Sequence, residues 1–454
     1  MVASDHWRRR RRSASLITDT GGGNAPFLCY NYKVVSEAAM FKLRPHQQRA
    51  LAALENNTHG QVIVPTGGGK TLVMIKDVER RLLAADAPQT IVVVAPRILL
   101  ANQLCDEFWG ALNGTVDAAV MHVHSGETSF NSSTKVQEIQ CHAAVCAAAN
   151  THQLIFTTYN SLRRIVEAEI SIDVIYYDEA HNSTRRDFFE SVLNVDAKNY
   201  YYFTATPKHT NAGHGRGMNN TTVYGPVLET VPAPELVNNG SIIFPQVIPH
   251  EIDIERIKGT YSYESDKDML VNLMNDIDTD GAKILVAAPS SRIMFNLLTK
   301  TDILSFFHDM GYDVLHITSE YGAYVNKNKV NREQFFDTFN AWGKDPDRKF
   351  VIFHYSILSE GINVHGLTHT VFLRQLDVIQ MAQTVGRVIR LNKDDASDIA
   401  CGKIIPGQFQ MYRKPVGKVI VPVYKNYGGP TIKRLQNLVN TVFVKGLPAV
   451  SVTA

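Results

Sequence analysis

The run Pro65-Thr66-Gly67-Gly68-Gly69-Lys70-Thr71 closes a short apolar strand, Val62 to Val64, and opens a helix that begins with Leu72, Val73 and Met74. Strand, glycine loop, Lys-Thr and helix in that order restrict the chain to folds in which a sheet edge presents a loop to an anion. Successive N–H groups can converge on phosphate oxygens only where no Cβ intervenes, and a helix start adds positive potential. The segment from Pro65 to Thr71 is therefore expected to cradle the phosphates of a nucleotide. Lys70 would reach the β- and γ-phosphates, and the Thr71 hydroxyl would ligate Mg²⁺. Val64 stands where the common form of the loop has its first glycine.

Asp173 to Tyr177 reads as a buried strand that delivers Asp178-Glu179-Ala180-His181 at its end. Ligands collect at that edge of an open α/β sheet, so carboxylates there are placed to hold Mg²⁺ and water. Asp178 is the candidate metal carboxylate, and Glu179 the candidate base for the attacking water.

These two segments, in this order, resemble the superfamily-2 helicases, ATP-driven nucleic-acid motors built from two tandem RecA-like domains. Further stretches match in the family's order. Leu43-Arg44-Pro45-His46-Gln47 resembles the segment whose glutamine reads adenine, which implies that role for Gln47. Val94-Ala95-Pro96-Arg97 to Gln103 and Thr157-Thr158-Tyr159-Asn160-Ser161-Leu162 resemble nucleic-acid-contacting motifs, implying contacts by Arg97 and Thr158. Thr204-Ala205-Thr206-Pro207 resembles the motif that couples hydrolysis to strand movement, and Thr204 and Thr206 are included among the expected nucleic-acid contacts. Ser359-Glu360-Gly361-Ile362-Asn363 and Gln383-Thr384-Val385-Gly386-Arg387-Val388-Ile389-Arg390 resemble the second-domain motifs that close on ATP. The resemblance thus implies nucleotide contacts by Gly361 and Asn363, and catalytic roles for Gln383, Arg387 and Arg390. Many relatives carry an aspartate where this chain has Asn363.

The last motif also has a physical reading of its own. Arg387 and Arg390 lie three residues apart, so a helix would set them on one face. A planar guanidinium can fork onto phosphoryl oxygens from across a cleft. Such arginines contribute roughly 10³–10⁵ to hydrolysis where they have been dissected.

With 454 residues the chain is too long for one compact α/β unit and long enough for two. Hydrophobic residues make up 44% and charged residues 20%, as in a globular protein, and no apolar run is long enough to span a bilayer. A net charge of +2 means that nucleic-acid binding has to come from a local groove. The 5 cysteines are scattered, which fits reduced thiols and an intracellular location. Cys141, His142 and Cys146, with His122 and His124 upstream, fit none of the usual structural zinc spacings and read as core or loop residues.

The fold class expected is α/β, two tandem RecA-like domains, each a parallel sheet flanked by helices. Residues 1–40 read as a disordered basic tail containing Arg8 to Arg12, a nuclear-import signal, a loose grip on phosphates or simply a solvated tail. Translation starting at Met40 is the alternative, although Phe27 to Val35 is apolar enough to pack. Domain one is expected over 41–232, an interdomain linker over 233–262, domain two over 263–395, and an extension packed on domain two over 396–454. Lys208 to Thr222 reads as a mobile loop, Phe335, Phe336 and Phe339 as core, and Thr431 to Val444 as an amphipathic helix.

The function expected is an ATP-dependent nucleic-acid translocase or helicase, with DNA ahead of RNA as partner and no membrane. An RNA helicase, or a clamp that grips without unwinding, are the alternatives.

Overall fold

The computed structural model describes residues 43–212, 215–277, 281–318, 320–355 and 366–453. The basic tail, Cys29, Met40, and the segment carrying Gly361 and Asn363 lie outside the described residues.

Two eight-stranded sheets form, one in each half. The first-lobe strands, in chain order, are β1 (His59–Ile63), β2 (Thr90–Ala95), β3 (Ala118–Val123), β4 (Asn131–Ser132), β5 (His152–Thr158), β6 (Ile172–Tyr177), β7 (Ala197–Thr204) and, past β8 (Lys208–Thr210), β9 (Val227–Thr230). They lie in the order β4-β3-β5-β2-β6-β7-β1-β9, all parallel. β2 and β6 are near-continuous apolar runs because helices cover both faces of a parallel sheet. On one face the helix Lys70–Ala84 buries Val73, Met74, Val78 and Leu82. It also buries Asp77, whose charge is met by Arg80 at 2.6 Å, Arg81 at 2.9 Å and the Tyr176 hydroxyl at 2.6 Å.

The second lobe contains β10 (Phe244–Ile252), β11 (Lys283–Ala287), β12 (Asp313–Thr318), β13 (Gly322–Val325), β14 (Asn328–Val330), β15 (Phe350–His354), β16 (His369–Phe372) and β17 (Val416–Tyr424). Their order is β10-β17-β16-β11-β15-β12-β13-β14, parallel except for the hairpin at β13 and β14. Phe335, Phe336 and Phe339 are buried in the helix Arg332–Lys344, whose start is capped by the Asn331 side chain. Such a cap is worth about 1 kcal/mol.

Three stretches differ from their sequence reading. The expected linker holds a helix, Ala233–Asn238, and the nine-residue β10, which pairs with β17 along its whole length. At the edge of the sheet, with β17 as its one neighbour, it exposes Gln246 and Glu251 and tolerates Pro245 and Pro249. Within Lys208 to Thr222, Lys208–Thr210 form β8 and the short helix Thr221–Tyr224 begins. Asn219 accepts from Thr210 N at 3.0 Å and donates to Thr210 O at 2.8 Å, closing a ring that the glycine-rich composition conceals. The terminal helix, Gly429–Val439, continues as a π turn over Asn440–Val444 and packs on both lobes.

Candidate functional site

β1 runs into the glycine loop, and Val64 N donates to Thr204 O at 3.0 Å, which ties the loop's entry to the end of β7. Gly68 N turns back to Pro65 O at 3.0 Å. Gly67 and Gly69 have φ of 88° and 79°, left-handed values that side chains rarely adopt. At Gly69 a Cβ would also strike the Gln47 amide. This is a cradle that needs glycine, which is the fit required of a phosphate site.

Gln47 and His46 brace that cradle from the preceding helix, Pro45–Glu55. His46 Nε2 lies 2.9 Å from Gly68 O, and Gln47 Nε2 donates to the same carbonyl at 3.4 Å. His46 is 1% exposed and is held on its other side by Asn239 at 3.3 Å. Sequence reasoning passed over His46; its place beside Gln47 in the Pro-His-Gln turn was the available signal.

β6 sits between β2 and β7 and carries Asp178 and Glu179 off its end. Asp178 N donates to Val94 O at 2.9 Å, and the Tyr159 hydroxyl donates to Asp178 O at the same distance. Burial and the neighbouring Glu179 push the Asp178 carboxyl up to about 7, against the pull of Lys70. Glu179 holds a left-handed backbone, φ 46°, which costs a non-glycine residue about 1 kcal/mol or more. One carboxylate oxygen lies 3.9 Å from Lys70 Nζ; the other is buried, 3.6 Å from His181 Nδ1. A lysine, a strained glutamate and a buried aspartate thus converge beside the glycine cradle. That donor set suits Mg²⁺ and triphosphate: Asp178 and Thr71 offer the hard oxygen ligands that Mg²⁺ takes.

Thr204 and Thr206 are 0% and 1% exposed. His181 Nδ1 lies 3.1 Å from Thr204 Oγ1, which accepts from Thr206 N at 3.1 Å. The pair therefore reaches the acidic segment from inside the lobe, whereas the sequence reading put both at the nucleic acid. Arg97 begins the helix Ile98–Leu112 just past β2. Thr158 ends the neighbouring β5, buried, with its hydroxyl 3.3 Å from Ser161 Oγ.

From the second lobe the helix Val378–Val388 buries Gln383, Thr384 and Arg387. It meets the glycine loop directly: a Cβ on Gly386 would lie 2.7 Å from Thr66 Cβ. Ile243 N donates to Ile389 O at 2.8 Å, and Lys414 Nζ donates to Arg390 O at 2.9 Å. Burial lowers the Arg390 guanidinium to about 10, and the first-lobe carboxylate of Glu107 opposes that shift. Arg390 stands past the end of the helix, bridged to Ile242, so the single helix face that the three-residue spacing predicts for Arg387 and Arg390 does not form. Arg387 acts on His354, whose imidazole is lowered to about 3 by burial and by Arg374 and Arg387. Gln383 Nε2 is buried with no hydrogen-bond partner among the described residues.

His122 and His124 are hydrogen-bonded at 2.9 Å, and His142 meets Gln153 at 2.6 Å. No group of three or more His, Cys, Asp or Glu among the described residues is placed to hold a metal. No helix among the described residues is long and apolar enough to cross a membrane.

Residues 40–209 match the family described as type III restriction enzyme, res subunit, and residues 266–392 match the helicase conserved C-terminal domain. The chain is 22% identical over 220 residues to the type I restriction enzyme SauMSSORF170P endonuclease subunit of Staphylococcus aureus (strain MSSA476). That match covers 47% of this chain and 22% of the relative, so the chain spans about a fifth of that protein's length. Among solved structures, the type ISP restriction-modification enzyme LlaBIII bound to DNA superposes with a TM-score of 0.66 at 15% identity, covering 90% of this chain and 31% of that one. The Saccharomyces cerevisiae protein Dbp5 bound to RNA and ADP BeF3 superposes with a TM-score of 0.55 at 16% identity, covering 90% and 89%.

Proposed function

Because the chain belongs to the superfamily-2 helicases, with two RecA-like domains of the restriction-enzyme kind, we propose that it hydrolyses ATP at the interlobe cleft to move along DNA or part its strands. The observation that carries this reading is the meeting of Lys70 and Glu179 at 3.9 Å beside a glycine loop on which the helix of Gln383 and Arg387 is seated, with Arg390 just past that helix's end.

Gly67 to Lys70 would hold the phosphates, Thr71 and Asp178 the Mg²⁺, and Gln47 the adenine. Bound Mg²⁺ would neutralise charge on the phosphates. Glu179, with a buried oxygen that no donor among the described residues claims within hydrogen-bond range, is suited to orient water and accept its proton. Arg387 and Arg390 would stabilise charge developing on the transferred group from the far lobe. Gly361 and Asn363, outside the described residues, would add nucleotide contacts, as their motif's resemblance implies. Thr204 and Thr206, wired to His181, would carry the state of the acidic segment outward to the strand-holding surface. Arg97 and Thr158, at adjacent strand ends, would hold the nucleic-acid backbone without reading sequence.

The test is ATP turnover with single- and double-stranded DNA and RNA, for the wild type and Lys70→Ala. Duplex or single-stranded DNA should stimulate the wild type severalfold more than RNA, and Lys70→Ala should lose at least a hundredfold in turnover. Stronger stimulation by RNA would transfer the proposal to RNA. Full turnover in Lys70→Ala would sink the site assignment.

A further inference from the structure

Past Val439 the chain belongs to neither sheet alone. It leaves a helix rooted in the second lobe, winds the π turn Asn440–Val444, and turns at Gly446 with φ 71°. It then crosses to the first lobe as β18 (Ser451–Thr453), parallel to β8. Ser451 N donates to Pro207 O at 3.1 Å, and Asn211 N donates to Thr453 O at 3.2 Å. Pro207 directly follows Thr204-Ala205-Thr206, so the added strand grips the segment wired to His181.

On the way the same stretch floors the cleft. Phe443 and Ala449 line a small apolar cavity together with Thr66 of the glycine loop, Thr206, and Gly386 of the second-lobe helix. Phe443 stands edge-on to Phe244, centroids 5.8 Å apart, where the main chain itself passes between the lobes. A Cβ on Gly446 would lie 3.1 Å from Pro232 Cβ at that same crossing.

We propose that residues 440–453 are an interlobe strap that limits how far the cleft opens. Both ends are fixed, one by packing in the second lobe and one by strand pairing in the first. Between them the residues 445–450 can extend to only about 20 Å at 3.3–3.6 Å each. Wider opening has to peel β18 away from β8. Val452 is 61% exposed, so this pairing rests on backbone hydrogen bonds with little apolar burial and can yield. The strap thus holds a nucleotide-free molecule near closure while leaving full opening reachable.

The test uses the exposed thiols of Cys141 on the first lobe and Cys401 on the second, labelled as a fluorescence-transfer pair in the full chain carrying Cys29→Ser. Ser451→Pro removes the donor to Pro207 O from the strap side, and Asn211→Pro removes the donor to Thr453 O from the lobe side. Without nucleotide or nucleic acid, each should raise the ratio of low-transfer to high-transfer molecules by about tenfold or more. The KM for ATP should rise severalfold while the melting curve stays close to wild type. Transfer distributions that superpose on the wild type in both variants would overturn the proposal. If one variant misfolds, the other, altered on the opposite lobe, still decides. The distance measurement needs no catalysis, so it can fail independently of the ATPase reading.

Discussion

At the scale of single residues the site is a set of charges held where water would not leave them. Lys70 and Glu179 stand 3.9 Å apart with little exposure, and Asp178 is buried beside them. Removing the glutamate charge without changing its shape separates binding from chemistry. Glu179→Gln should keep nucleotide affinity within a few-fold, because Lys70 and the loop remain, and lower kcat by about 10²–10⁴. Equilibrium binding of a fluorescent nucleotide alongside single-turnover hydrolysis checks both halves; an unchanged kcat would remove Glu179 from the chemistry. His354 makes a second case. Both its ring nitrogens are buried without a hydrogen-bond partner among the described residues, and Arg374 and Arg387 repel a charge there, so its folded value is about 3 against an unfolded 6.5. The folded state takes up this proton later than the unfolded chain does. The histidine's contribution to stability is therefore complete above pH 6.5 and is lost as pH falls toward 3. Urea midpoints of wild type should fall relative to those of His354→Phe between pH 6.5 and 4, with a constant difference above pH 7. A difference that stays flat across the whole range would mean that the ring takes up its proton as readily in the fold as in the unfolded chain.

At the scale of elements, the contact between the helix Val378–Val388 and the glycine loop depends on the missing side chain of Gly386. A valine there would drive two methyl groups into Thr66, whose Cβ and Cγ2 already lie 2.7 and 2.8 Å from a single added Cβ. Gly386→Val should hold the lobes apart and raise the KM for ATP by about tenfold or more, with the melting temperature nearly unchanged because each lobe keeps its own core. Steady-state kinetics beside calorimetry tests this, and wild-type KM would show that the loop and helix separate during turnover. The motif from Gln383 to Val388 was legible as a helix, but its end before Arg390 was not, and neither was the glycine's partner: Thr66 is more than three hundred residues away in sequence, and no periodicity carries that pairing. The strands show the same limit. β1, β2, β5, β6 and β7 announce themselves as apolar runs ended by turn residues, and the Asp178-Glu179 pair follows from the last turn of β6. β10 stayed hidden because two prolines and interspersed polar residues look like a passage between domains until an edge strand is seen to tolerate them. Thr204 and Thr206 were legible as a motif, yet their direction was not. Whether a strand-end threonine faces solvent or a neighbouring histidine depends on packing across β6 and β7.

At the scale of the whole molecule, function has to come from two lobes acting across one cleft, since the overall charge gives almost no attraction to a polyanion. A net +2 over 454 residues cannot steer DNA from a distance, so on the proposed reading affinity would arise from a few phosphates held in a groove. Each neutralised phosphate releases counterions, and log K falls against log salt with a slope of about −0.9 per contact on duplex DNA. Arg97 starts the helix beyond β2, one strand from Thr158, at the edge of the first sheet toward which ligands of such folds gather. If it holds one phosphate, Arg97→Ala should weaken duplex binding similarly for unrelated sequences and reduce the magnitude of the salt slope by about 1. Fluorescence anisotropy over a salt series, on two duplexes of different sequence, measures both. A weakened variant with an unaltered slope would place Arg97 in support of the lobe and outside the backbone grip. A slope that changed for one duplex alone would mean that this surface reads bases, which would count against the proposed movement along any sequence.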